Sequence, residues 1–316
     1  MNDLRKQSSN ITERILNKTG KKYKTIYNYA KIYPNFIKII RYKRPLVVQN
    51  FGVENQGIAN EENSSEIDTL QKSINRTKTK ISDYVLSNNF SHFATFTFDA
   101  KNPKIKTEQN RHNFAKMSAL LQQWLNTEQV NHQRTHGSKF KYLIVPERHK
   151  NGAWHFHALL ENYLNPTDNF HSRKNPYATI SEIKNPKPNT KRKFINRYNL
   201  GRSEIAPIRD TSKMASYIKK YITKELITEP NAKRYWSSRN LNKPELFPNI
   251  VSERSPIPQE FKTRDYDYHE IFEIPQNAPF FSFLLTIKKI HISDEFFRIR
   301  TNPDYFANRA RRGANS

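Results

Sequence analysis

The segment FKYLIVPERHKNGAWHFHALLE, residues 140–161, constrains the fold of this chain more than any other stretch. Two apolar runs flank HKNG, and an Asn-Gly pair between such runs is typical of a tight β-hairpin turn. The sequence therefore predicts two antiparallel strands, FKYLIVPE and AWHFHALLE. Because side chains alternate along a strand, His155 and His157 share one face, and the apolar residues that alternate with them occupy the other.

Two histidines at this spacing predict a metal site. Their Cα atoms lie two rises of about 3.3 Å apart, so both imidazoles can reach one ion. Glu147 precedes His155 by eight residues across the turn and brings a carboxylate toward the same point. This donor set suits Mn²⁺ or Mg²⁺ acting as a Lewis acid. Glu161 on the same strand face and Asp99 at the end of an earlier strand are alternative third ligands, and a merely solvated His-x-His face is the plainer alternative.

The basic composition predicts a polyanionic partner. Lys and Arg number 54 against 29 Asp and Glu, a net charge of +25, and nucleic acid is the default partner for such a field. The absence of cysteine excludes disulfides and thiolate zinc sites, and no GxxxxGK[ST] loop indicates an ATPase. No apolar run is long enough to span a bilayer and no signal-peptide core is present, so we expect no membrane partner and a cytoplasmic location.

Composition shifts divide the chain into three expected segments: a basic N-terminal arm and linker at 1–66, a domain at 67–245 and a C-terminal extension at 246–316. The first 50 residues carry twelve Lys or Arg and two acids, which fits either a duplex-binding arm or a solvated one. Besides the hairpin, hydrophobic periodicity predicts helices at 67–88, 107–129 and 211–227, and strands at 92–98 and within 198–208. Asp210 or Thr211 is the expected N-cap of the last helix.

The helix expected at 211–227 contains a doubled motif, YIKKYITK. Tyr217 and Tyr221 lie four residues apart and share one helical face, as do Lys220 and Lys224. The apolar stripe of this helix follows other positions, namely Met214, Ile218, Ile222 and Leu226. The tyrosines are therefore expected beside the core rather than in it, and two tyrosines that only pack there are the structural alternative.

Taken in order, three segments of the chain resemble the motifs of the HUH family of single-strand DNA endonucleases. The alternating strand Phe93 to Phe98 resembles the first motif, His155-Phe156-His157 the second, and Tyr217 to Lys220 the third. The resemblance covers roughly residues 75–245 and is strongest to rolling-circle replication initiators of bacterial plasmids and phages. The phrase VPERHKNGAWHFHALL is especially similar to Gram-positive members. Relaxases carry their tyrosine ahead of the histidine pair, whereas here the tyrosine follows it.

The resemblance implies an α+β fold, the HUH endonuclease fold, in which a central antiparallel sheet of about five strands is flanked by helices and the histidine strand lies in the middle. It implies that a tyrosine attacks origin DNA, forming a 5′-phosphotyrosyl link and a 3′-OH that primes a host polymerase. Tyr217 and Tyr221 are then the catalytic nucleophiles, as in two-tyrosine phage initiators, and Lys220 and Lys224 hold the phosphate. The implied partners are single-stranded and origin DNA and the polymerase and helicase of a bacterial host.

Two other functions compete with this one. A single-strand transposase of the same superfamily shares the histidine pair and a downstream tyrosine, although such chains are usually shorter and carry one tyrosine. A non-enzymatic single-stranded nucleic-acid-binding protein would stack bases on the sheet aromatics Phe93, Phe96 and Phe98. That second function explains the charge and the aromatics but neither the histidine pair nor the doubled tyrosine.

Overall fold

The computed structural model describes residues 23–49, 66–186, 191–222, 234–253 and 255–289. The chain divides into two compact units, one made of residues 1–61 and 244–316 and the other of residues 62–243. Each unit contains a five-stranded antiparallel sheet. The predicted α+β class is confirmed.

The strands and helices follow one another along the chain, and the same labels are used throughout. The strands are β1 (Tyr23–Ile32), β2 (Phe36–Gln49), β3 (His92–Phe96), β4 (Lys141–Arg148), β5 (Trp154–Glu161), β6 (Ser203–Pro207), β7 (Trp236–Ser237), β8 (Glu245–Pro248), β9 (Lys262–Asp265) and β10 (His269–Pro275). The helices are α1 (Glu66–Ser87), α2 (Phe114–His136), α3 (Ile180–Lys184), α4 (Thr211–Ile218) and α5, which begins at residue 279 and reaches the last described residue, 289. None of these helices is both long enough and apolar enough to cross a membrane.

In the unit formed by the two ends of the chain, the strand order is β8-β1-β2-β10-β9. One face of this sheet packs against α5 and the loop at 250–261, and Ile37, Ile39, Phe272 and Ile274 form the centre of that core. Strands from residues 23–49 therefore pair with strands from residues 245–275. This pairing differs from the expectation of a separate basic arm and a separate C-terminal extension, although the expected boundaries lie within a few residues of those between the units.

In the unit at residues 62–243, the strand order is β6-β3-β5-β4-β7, so the histidine strand β5 lies in the middle of the sheet, as predicted. The apolar face of β5 packs on α2 through Phe156, Ala158 and their neighbours, with Met117 and Leu121 on the helix side. The opposite face packs on α1 and α4 beyond the histidines. Helices thus cover both faces of this sheet, and the histidine face looks toward α4.

Helix boundaries differ from the periodic pattern where capping residues decide them. The helix predicted at 107–129 is α2, which begins only after Asn113, whose side chain accepts a hydrogen bond from the Lys116 amide. It ends at Gly137, which has a φ of 77° and takes the left-handed conformation that glycine adopts most easily. Between 211 and 227, α4 ends at Ile218 and a 3₁₀ turn, Lys219–Tyr221, continues it. The rest of that predicted helix lies outside the described residues, as does nearly all of the expected linker at 52–66.

Candidate active site

The β4–β5 hairpin places a carboxylate and two imidazoles on one face. Glu147 on β4 lies directly opposite His155 on β5, and residues opposite each other in an antiparallel pair share a face. The turn that sets this register is closed by a hydrogen bond from the Gly152 amide to the His149 carbonyl at 2.8 Å. Gly152 has a φ of 85°, so the predicted turn depends on glycine at this position.

His157 is held between a carboxylate and a hydroxyl. Its Nε2 lies 2.7 Å from Glu147 Oε2, and its Nδ1 lies 3.1 Å from Thr95 Oγ1 on the neighbouring strand β3. An ionised Glu147 requires the proton on Nε2, and Nδ1 then accepts from the Thr95 hydroxyl. The same hydroxyl can instead accept from a protonated Nδ1, which frees the Nε2 lone pair for a cation. Thr95 therefore suits both tautomers of this imidazole.

The charge state around the hairpin favours a bound cation. The hydrogen bond from His157 and the nearby histidines hold the pKa of Glu147 below its usual value, so the carboxylate is ionised at neutral pH. Burial, helped by His149 and His157, lowers the pKa of His155 to about 4, so this imidazole is neutral and keeps a lone pair. Ionised carboxylates and neutral imidazoles are the forms that bind divalent ions.

Helix α4 brings the tyrosines to the same face of the sheet. Its N-cap is Asp210, whose carboxylate accepts a hydrogen bond from the Lys213 amide at 2.9 Å. Ala215 and Ile218 are buried in the core that includes α1 and one face of β4 and β5. Because the buried stripe uses these positions, Tyr217 stays 40% exposed, and the predicted position of the tyrosines beside the core is confirmed.

The two tyrosines meet at their hydroxyls. The Tyr221 hydroxyl donates a hydrogen bond to the Tyr217 hydroxyl oxygen at 2.5 Å. The Tyr221 ring stacks on the His157 imidazole with centroids 4.0 Å apart, and the Tyr217 ring meets Phe93 edge-on at 5.6 Å. Glu147, His157 and both phenols therefore form one continuous group of contacts.

The environment of this pair distinguishes the two phenols. Burial, the hydrogen bond to Tyr217 and the nearby Glu147 all raise the pKa of Tyr221, so Tyr221 is a neutral donor at physiological pH. The Lys220 ammonium lies 5.7 Å from the centroid of the exposed Tyr217 ring, beside the hydroxyl that accepts. Lys224 lies outside the described residues.

The two alternative third ligands lie elsewhere. Glu161 is buried, pairs with the Lys141 ammonium at 2.8 Å and accepts from the Asn89 amide at 2.9 Å. Asp99 accepts a hydrogen bond from the Lys101 amide in the turn that follows β3. Both carboxylates have local partners of their own, whereas Glu147 contacts His157.

The residues of the hairpin fit a divalent cation in their chemistry. Within the described ranges, no three His, Asp or Glu side chains converge on one point, and the His155 ring stacks on His149 with centroids 4.8 Å apart. Glu147 and His157 nevertheless present their donor atoms 2.7 Å apart. Two ligand atoms that bind one octahedral ion at about 2.1 Å lie about 3 Å from each other. Glu147, His157 and the neutral His155 could hold such an ion.

Sequence reasoning missed two neighbours of the histidines, Thr95 and His149. Thr95 lies opposite His157 in the β3–β5 register, which no local pattern reveals. His149 begins the hairpin turn, where it reads as an ordinary turn residue. The proposed base-stacking set is also divided, because Phe96 and Phe98 are buried on the α2 side while Phe93 faces the tyrosines.

Comparison with known proteins gives one match. The family model of the Replication-associated protein ORF2 matches residues 91–226, a span that runs from β3 through both histidines and both tyrosines. This match supports a protein of the replication-initiator type. No curated protein and no solved structure matches the chain.

Proposed function

We propose that residues 62–243 form an HUH-type endonuclease that nicks single-stranded origin DNA and starts rolling-circle replication. The observation that carries the proposal is the contact group in which Glu147 meets His157, His157 meets Tyr221, and Tyr221 meets Tyr217. Two phenol hydroxyls beside an ionised carboxylate and an imidazole are the parts that tyrosine attack on a phosphate requires. The family match and the central position of β5 support the same proposal.

The first step is a transfer of one phosphate ester. The Tyr217 oxygen attacks the phosphorus, the bond to the 3′ oxygen breaks, and the 3′ oxygen takes up a proton. The products are a 5′-phosphotyrosyl link and a free 3′-OH. Because one ester replaces another, the bond energy is kept and the rejoining step needs no ATP. Tyr221 then serves the second transfer, in which the regenerated origin is cut and the old end is released.

The chain's own residues lower the barrier to this attack. An unperturbed phenol has a pKa of about 10 and is a weak nucleophile at neutral pH. The hydrogen bond that Tyr221 donates stabilises negative charge as it develops on the Tyr217 oxygen. Lys220 is placed to contact the phosphate next to the Tyr217 ring, and we assign Lys224 the same role at the second tyrosine.

Glu147, His155 and His157 would hold the divalent cofactor, Mn²⁺ or Mg²⁺. When bound there, the ion supplies Lewis-acid polarisation of the scissile phosphate. Thr95 positions His157 by the hydrogen bond at Nδ1.

The proposal extends to the cellular setting. The free 3′-OH is a primer for a host polymerase, and a host helicase would separate the strands ahead of it. The net charge of +25 favours association with DNA. We place the protein in the cytoplasm of a bacterial host, most like plasmid or phage members of Gram-positive bacteria.

A covalent trap tests the proposal. The full chain is incubated with Mn²⁺ and a pool of random single-stranded oligonucleotides labelled at the 3′ end, because a 5′-phosphotyrosyl link retains that end. An SDS-stable, labelled adduct is expected, and sequencing of the bound DNA gives the preferred site. The variant His155→Ala/His157→Ala should form no adduct while keeping its affinity for the pool. Tight binding with no adduct from the native chain would favour the non-enzymatic binder instead.

A further inference from the structure

The sheet in the unit formed by the two chain ends has one face that the core does not use. Its other face is filled by Ile37, Ile39, Phe272 and their neighbours beneath α5. Side chains alternate along strands, so the residues between these point to the opposite side. That side carries Tyr42 on β2 and His269 on β10, which lie directly opposite each other in the ladder.

Aromatic rings continue across this face toward the sheet edge. The His269 ring lies 6.5 Å from the Tyr42 ring and 4.8 Å from the Tyr266 ring, measured between centroids. Tyr266 also accepts a hydrogen bond from Arg264 Nη1 at 3.1 Å. Tyr266 is 41% exposed and Tyr268, in the same turn, is 78% exposed. We call Tyr42, Tyr266, Tyr268, His269 and Arg264 the aromatic face.

The hairpin that carries Tyr42 is uniformly basic. Residues 23–49 contain six Lys or Arg and no Asp or Glu. Lys43 and Arg44 follow Tyr42 and are exposed, and the Lys43 amide donates to the Tyr268 carbonyl at 3.0 Å. Part of this charge is balanced within the unit, because Lys43 pairs with Asp265 and Lys38 with Glu273. The cations therefore lie directly beside the exposed rings.

We propose that the aromatic face is a second, non-catalytic binding site for single-stranded DNA. Exposed rings on a sheet surface stack on unpaired bases, and adjacent cations contact the phosphates. Bases inside a duplex are already stacked on one another, so rings presented in this way select an unpaired strand. This site belongs to the unit at the chain ends and needs no tyrosine chemistry, so it goes beyond the proposed nicking and can be tested without it.

The test measures binding of a fluorescein-labelled oligothymidylate to the full chain by anisotropy, with EDTA present so that no cleavage occurs. Tyr266→Ala/Tyr268→Ala should weaken binding by about tenfold or more, the loss expected from removal of one or two stacked bases. Both side chains are exposed, so the fold should tolerate the change. Phe283→Ala is the matched control, because this ring is 54% exposed on α5, on the opposite side of the same sheet.

Two outcomes would overturn the proposal. One is an unchanged affinity in Tyr266→Ala/Tyr268→Ala, equal to that of Phe283→Ala. The other is a loss confined to duplex DNA, which would make the surface a duplex-binding one. A second measurement uses the native chain alone: an oligonucleotide containing bromodeoxyuridine is cross-linked by ultraviolet light, and the peptides are mapped. Cross-links are expected on peptides containing Tyr42 or Tyr266, and cross-links found only within residues 62–243 would also refute the site.

Discussion

The hydrogen bond between Thr95 and His157 gives the sharpest test of how the histidine face is organised. Thr95→Val keeps the shape and the β-propensity of the side chain and removes only the hydroxyl. His157 is 6% exposed, so water has little access to replace the lost partner at Nδ1. An unpaired group at such a position costs about 1–3 kcal/mol of folding free energy.

The effect on ion binding should be larger than the effect on folding would suggest. Thr95 fixes the tautomer and the orientation of His157, and loss of such a partner typically lowers metal affinity or activity by about 10- to 100-fold. Mn²⁺ binding is measured by titration calorimetry, nicking by the rate of adduct formation, and stability by urea unfolding.

Thr97→Val is the matched control for this experiment. The Thr97 hydroxyl also makes one hydrogen bond, to the Arg202 carbonyl at 2.9 Å, but it makes no contact with the histidines. It should cost a similar amount of stability, about 1 kcal/mol, with Mn²⁺ affinity unchanged. Equal Mn²⁺ affinities for the two variants would refute the positioning role of Thr95.

Three further predictions concern the carboxylates, the acid response and the division into units. Glu147→Gln should abolish Mn²⁺ binding in calorimetry, whereas Glu161→Gln should leave it intact and lower stability by loss of the Lys141 pair; the reverse pattern would exchange their roles. Because the pKa of His155 falls from 6.5 to about 4 on folding, the unfolded chain binds that proton first, and stability should fall as pH drops from 6.5 toward 4. Urea unfolding in chelator should show a smaller fall in His155→Gln, and an identical fall would contradict the assignment. A chain that starts at Glu66 lacks β1 and β2, so residues 245–275 should lose hydrogen-exchange protection while adduct formation persists; retained protection would refute the pairing.

Local sequence signals predicted the part of the site that local geometry decides. The turn at Gly152 and the alternation of β5 fix the face of His155 and His157, and helical spacing fixes the side of Tyr217 and Tyr221. Each of these depends on residues less than a dozen positions apart. The hairpin register that brings Glu147 opposite His155 follows from the same turn.

Long-range pairing decided the parts that the sequence could not reveal. β1 pairs with β8 across more than 200 residues, as the hydrogen bond from Asn28 to the Val251 carbonyl illustrates, with a separation of 223. A basic stretch at one end of a chain reads as an arm unless its partner strand is known. Thr95 was missed for the same reason, since its contact with His157 depends on the register between β3 and β5.

Peptide mapping of the covalent DNA adduct tests the central claim most directly. The adduct formed on a simple oligonucleotide is digested, and the modified residue is identified by mass spectrometry. DNA should be recovered on Tyr217, and Tyr217→Phe should form no adduct, whereas Tyr221→Phe should still nick but fail to release closed circles. Recovery only on Tyr221 would reverse the roles of the two tyrosines. Recovery on neither would contradict the account, because it would remove α4 and its 3₁₀ turn from the chemistry.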